Sequence, residues 1–231
     1  MDSLPTFMVV IFAIVIGGLL VLFPIAILTS RRTAARRRRS VASFAHDRGW
    51  EFRADHPALA DRFAGVPFGR GTARFATNVV IGEHEGRPFV AFDYQYTDVI
   101  GENNNQHFYS VVAGSLGLRA PDLFVGPTTL LGRWADGLTG GDIEIGDPAF
   151  DGHFTVRSPS PEFAIDVLLS DVREVVRHHP DLTWRITGDS LLVVSPGRHA
   201  PAEVDAKLEM MEALLDRIPE RVWERLLAGE S

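Results

Sequence analysis

The chain has 231 residues, a net charge of −7, 23 basic residues of which only Lys207 is a lysine, and no cysteine. The missing cysteine excludes disulfides, thiolate metal sites and a cysteine nucleophile. The acidic balance lacks the basic footprint that phosphate attraction requires, so no nucleic-acid partner is expected.

Residues 6–28 carry no charged side chain. At about 1.5 Å of rise per residue they would reach roughly 35 Å, enough to cross a hydrocarbon core. Arg31, Arg32, Arg36, Arg37, Arg38 and Arg39 follow at once. The stretch predicts a transmembrane helix after an external tail 1–5, with a basic juxtamembrane segment 29–48 touching anionic headgroups of the lipid bilayer. The positive flank then puts the amino terminus outside and a domain over 49–231 in the cytoplasm, a single-pass protein of the cell membrane. A cleaved signal is excluded because its basic residues would precede the apolar run. The first 40 residues hold six arginines and one aspartate, net +5, so the remainder carries −12 against the total of −7.

Beyond the arginines, Ser40–Arg48 reads as a helix stopped by Gly49, and Trp50 and Phe52 open the folded body. Ala58–Phe63 reads as a short helix, and Gly65, Pro67, Gly69 and Gly71 as a loop without the spacing of a phosphate cradle. Residues 73–81 alternate as a strand, Glu83–Gly86 supplies a turn, and Pro88–Thr97 returns. On that second strand Val90, Phe92, Tyr94 and Tyr96 form the expected core face, opposite Phe89, Ala91, Asp93, Gln95 and Thr97. Gly101–Gln106 reads as a polar loop, His107–Leu116 as a third strand, and Leu123–Val125 as a short edge strand.

Residues 126–141 show no clear pattern and suggest a sub-boundary. Asp142–Gly146 and His153–Arg157 alternate as strands. Ser160 caps a helix that starts with Pro161 and keeps helical spacing from Phe163 to Val176, ending at His178, His179 and Pro180. Thr183–Thr187 and Leu191–Ser195 around Gly188 read as a second hairpin with Trp184 and Ile186 inward. A last helix runs from Pro201 to Leu227, broken near Pro219, with Val204, Leu208, Met211, Leu215, Ile218 and Val222 facing the body. The class is α+β: an N-terminal transmembrane helix, then an antiparallel sheet covered by helices on one side.

Gly49-Trp50, the strand Phe92-Asp93-Tyr94-Gln95-Tyr96 and Phe150-x-x-x-Phe154-x-Val156 resemble an uncharacterised family of single-pass membrane-anchored proteins from high-GC, actinobacteria-like bacteria. The resemblance implies the architecture and carries no activity. The lone lysine is read as codon bias of such a genome.

Sites for chemistry are sparse. No histidines fall in a zinc-protease pattern, His178 and His179 suit a helix end, and Ser115 in Gly114-Ser115-Leu116-Gly117 lacks the nucleophile-elbow spacing. No metal or cofactor is expected. Asp93 is the candidate polar group, with Asn78 and His107 on neighbouring strands; the competing account is that Asp93 takes local hydrogen bonds and holds the sheet in register. Three readings follow: a non-catalytic module binding a protein partner or organising the envelope, a membrane-anchored hydrolase using Asp93 with a histidine, and a lipid- or small-ligand-binding domain.

Overall fold

A computed structural model of the chain describes residues 31–100, 103–130 and 140–229, together with Ile16 and Thr29. The chain divides into two units, Met1–Ser40 and Val41–Ser231. In the first, residues 31–40 are helical.

The second unit begins with a helix over 41–47 (α1) that ends at Gly49, whose φ of +70° is the left-handed conformation a helix stop demands. Trp50 follows and lies over Gly82, where any Cβ would meet the indole at 2.4 Å. Its Nε1–H donates to the Glu83 carbonyl (3.2 Å). The Gly-Trp pair thus stops the helix and docks it on the sheet.

The sheet is antiparallel throughout. Its strands are β1 (Glu51–Asp55), β2 (Thr72–His84), β3 (Arg87–Ile100), β4 (Asn103–Pro127), β5 (Gly141–Asp142), β6 (Phe154–Ser158) and β7 (Thr183–Pro196). Strands β1 to β4 are consecutive neighbours, and β6 then β5 continue beyond β4. One edge of β4 pairs with β3 in its first half and with β6 in its second, while β7 runs along the other edge. The turn expected over Glu83–Gly86 is made by two residues, Glu85 at φ +48° and Gly86 at +75°.

Three expectations about strands change: the first is that β4 starts at Asn103, inside the expected 101–106 loop. Leu123–Val125 is no separate edge strand but the far end of β4, and Thr183–Ser195 is no hairpin but one strand. Gly117 (φ +74°) and Gly188 (φ +59°) let β4 and β7 bend together, with matching register shifts between Ser115 and Leu123. A glycine at positive φ makes a bulge as readily as a reversal, and pairing along β4 selects the bulge. The helix expected from Pro161 breaks after Val167 into α3 (Pro161–Val167) and α4 (Ser170–His178), preceded by the single turn α2 (Pro148–Asp151). The last helix breaks at Pro219 as expected, into α5 (Pro201–Arg217) and α6 (Glu220–Leu227).

Both sheet faces are covered. Phe92, Tyr94, Tyr96, Tyr109, Val111 and Val194 form one core with Leu59, Phe63, Val66 and Phe68 from the segment after β1. Arg185 of β7 pins that segment by donating to the Val66 carbonyl (2.9 Å). Phe89, Ala91, Val112, Leu191 and Val193 form the other core, beneath α1 and α3–α6. The helices therefore cover the face opposite the expected core face, because strand alternation separates two faces without saying which receives the helices.

The transmembrane part of the expected fold class is corrected. Among the described residues no helix is long and apolar enough to cross a membrane. The longest helix the second unit offers, α5, has 17 residues and carries Glu203, Asp205, Lys207, Glu209, Glu212, Asp216 and Arg217. Such an amphipathic helix packs on a core and cannot satisfy hydrocarbon on all sides. The predicted span over 6–28 lies outside the described residues, Ile16 excepted. With it are withdrawn the single-pass, membrane and transmembrane assignments, and the topology and cytoplasmic localisation built on them. What the structure supports is an antiparallel sheet domain with helices.

Candidate functional site

Helix α5 begins at Pro201, where Glu203 reaches back to accept the Ala200 N–H (2.9 Å), the half of a capping box that alanine permits. Val204, Lys207, Leu208 and Met211 then recur at helical spacing on one buried face. Met211 fits because β4 has Gly114 beneath it; a Cβ there would meet its sulfur at 2.4 Å. Lys207, 1% exposed, points its amine at the same sheet.

The amine meets a row of polar side chains. Asp93 of β3 stands opposite Ser110 of β4, and Ser110 opposite Ser195 of β7. On β2, a register shift between Thr77 and Val80 surrounds Asn78, held at φ +50°. Asparagine tolerates that conformation better than most residues. Its amide thereby turns to donate to Asp93 Oδ2 (2.8 Å). The other carboxylate oxygen accepts the His199 backbone N–H (2.7 Å), and the His199 ring nitrogen Nδ1 lies 3.6 Å from it. Lys207 Nζ donates to the Ser110 carbonyl (3.0 Å), Ser110 Oγ (2.5 Å) and Ser195 Oγ (2.8 Å), matching three protons to three acceptors.

Burial pulls the Lys207 pKa from 10.5 down to about 8, against the pull of the Glu203 and Asp93 carboxylates. A hydroxyl 2.5 Å from an amine of lowered pKa is, taken alone, the pairing of a nucleophile with its base. Access decides what it can do. Ser110 and His199 expose no surface and Asp93 2%, so no substrate atom reaches the serine oxygen in this conformation.

Of the sequence candidates, the structure joins Asp93 with Asn78 and leaves His107 apart. His107 stands opposite Tyr96 on the other face of the sheet, with Nε2 3.3 Å from Asp98 Oδ2. The histidine beside Asp93 is His199, from the β7–α5 connection. Lys207, Ser110 and Ser195 were missed. One signal was visible, since the only lysine falls inside the apolar stripe of the last helix, where codon bias does not explain it. Arg31, Arg32 and Arg36–Arg39 lie in the first unit. His178 does serve its helix end, its Nδ1 2.7 Å from the Glu174 carbonyl. Among the described residues no cluster of three or more His, Cys, Asp or Glu side chains could hold a metal ion.

No protein-family model matches the chain, and no curated protein matches it. Among solved structures it is similar to the mycobacterial trehalose monomycolate transport factor A, TtfA, with a TM-score of 0.61 and 18% identity over 79% of this chain and 96% of that one. A mycobacterial neighbour agrees with the resemblance to proteins of high-GC bacteria, and at this identity what the two chains share is the fold.

Proposed function

We propose that this chain is a non-catalytic accessory factor of cell-envelope organisation, acting by binding a partner. The observation that carries the reading is the burial of the Ser110–Lys207 contact. A nucleophile and its base act only on a substrate that reaches them, and a fully paired polar row inside a core serves to lock helix α5 onto the sheet. The process is suggested by the fold likeness, since the neighbour is named as a trehalose monomycolate transport factor. The competing hydrolase would need the same row to open.

Deleting the gene in its native organism, labelling with radioactive acetate and resolving the envelope glycolipids tests both halves. The expected result is an altered distribution that a Ser110→Ala allele, shown to be folded by its thermal melt, restores. Unaltered glycolipids would overturn the envelope assignment. A folded Ser110→Ala protein that fails to restore them would overturn the non-catalytic one.

A further inference from the structure

On the sheet face opposite the polar row, beside the 3-10 turn Pro57–Asp61, lies an open groove of about 480 Å³. That volume is in the range of small-molecule sites. Its floor is one registered row, with Ile81 of β2 opposite Val90 of β3 and Val90 opposite Ala113 of β4. Ile81 and Val90 are only partly buried, and Ala58 and Pro88 at the sides are exposed, so the groove offers apolar surface to solvent. Leu59 and Phe63 are buried behind it. Ser115 of β4, opposite Ser190 of β7, closes the far end. From β2 to β7 is three strand spacings, about 14 Å, which makes the groove elongated.

The charge of the lining is one-sided. Arg62 and His56 line the groove and no aspartate or glutamate does, in a chain of net charge −7. The Arg62 guanidinium stands 5.4 Å from the Phe63 ring centroid, and among the described residues it has no acidic partner. Acids close to the groove are engaged elsewhere. Glu51, in register with Ile81, is held by Arg53 (2.6 Å), Asp61 by Arg74 (2.9 Å), and Asp189 accepts the Ser190 hydroxyl (2.8 Å). Glu83, two positions beyond Ile81, is exposed and does not line the groove.

We propose that this groove binds a linear amphipathic anion, an alkyl chain ending in a carboxylate. The inference rests on the reading of the chain as a binding factor and names the ligand class. An alkyl chain laid along Ile81, Val90 and Pro88 removes apolar surface of both partners from water. Its carboxylate meets a guanidinium that is charged at every ordinary pH and presents a fork of donors. A cationic amphiphile would meet like charge at Arg62. A small inorganic anion would gain nothing from the floor, and a neutral polar ligand would leave both the floor and the cation unused.

The test titrates the purified full chain by calorimetry with decanoate below its micelle concentration. Decanol and decyltrimethylammonium serve as the neutral and cationic ligands of the same chain length, and acetate as the head alone. Decanoate should bind saturably and about tenfold or more tighter than decanol, with no binding of acetate. Arg62→Gln and Ala58→Glu should each weaken decanoate binding about tenfold, or about 1.4 kcal/mol. Both positions are exposed, so both variants keep the fold, which a thermal melt checks. Arg217→Gln, which removes the same charge from an exposed position on α5, should leave binding unchanged. No saturable decanoate binding would overturn the proposal. So would equal affinity for decanol, the signature of a bare apolar surface, or decanoate binding that Arg62→Gln and Ala58→Glu leave intact, which would put the ligand elsewhere. Absent decanoate binding together with altered glycolipids on gene loss removes this inference and leaves the accessory-factor reading standing; decanoate binding with unaltered glycolipids does the reverse.

Discussion

The two faces of the sheet keep their polar groups under opposite conditions. Beneath α5, Asn78 with Asp93 and Lys207 with Ser110 and Ser195 are buried and held by hydrogen bonds of 2.5–3.0 Å. On the opposite face Asp98 and His107 remain partly exposed beside a cleft. In the first place any lost partner strands a charge in a core, whereas in the second water can stand in for any partner. The same residue types therefore contribute to stability on one side of the sheet and are free to serve binding on the other.

Lys207→Ala gives the sharpest contrast. It leaves the Ser110 carbonyl and two hydroxyls short of a donor and opens a cavity, so urea unfolding should show a loss of about 3–5 kcal/mol. Lys207→Met fills the space without a charge and should cost much less. Equal losses for the two variants would mean that the lost charge and hydrogen bonds, not the cavity, account for the effect. Asp93→Asn should cost about 2 kcal/mol, because the Asn78 and His199 donors then meet a neutral acceptor.

A smaller effect is read by pH. The folded chain gives up the Lys207 proton near pH 8, while the unfolded chain keeps it to about 10.5. Between those values the unfolded state binds more protons, so this group's contribution to stability rises with pH. Burial pushes Tyr94 up to about 12, which works in the opposite sense above pH 10, so the window to measure is pH 8 to 10. The melting temperature should climb there relative to Lys207→Met. Parallel profiles for the two proteins would show that the lysine does not titrate in this way. The smallest effect belongs to an exposed strand position, where Gln106→Ala should change unfolding free energy by less than about 0.5 kcal/mol.

How much of this was legible follows from what pattern encodes. The β2–β3 hairpin and the Asn78–Asp93 neighbourhood could be read, since alternation and a glycine turn fix adjacent strands locally. The partner of Asp93 on the next strand could not. Strand β4 starts at Asn103 rather than His107, which sets Ser110 opposite Asp93 and moves His107 to Tyr96. A polar loop of asparagines and a strand beginning in asparagines look alike in sequence. Gly188 was likewise ambiguous between a reversal and a bend. Lys207 was in plain view on the apolar stripe, but its three acceptors come from strands 97 and 12 residues away and leave no local trace.

The central claim is that the Ser110–Lys207 pair is a sealed structural contact and not an active site. Treating the native full chain with a fluorophosphonate, followed by peptide mass spectrometry, addresses it most directly, because only an accessible and activated serine is phosphonylated. The account predicts that Ser110 stays unmodified in the folded chain, in the parent protein and in Lys207→Met alike. Stoichiometric modification of Ser110 in the folded chain, abolished by Lys207→Met, would contradict it.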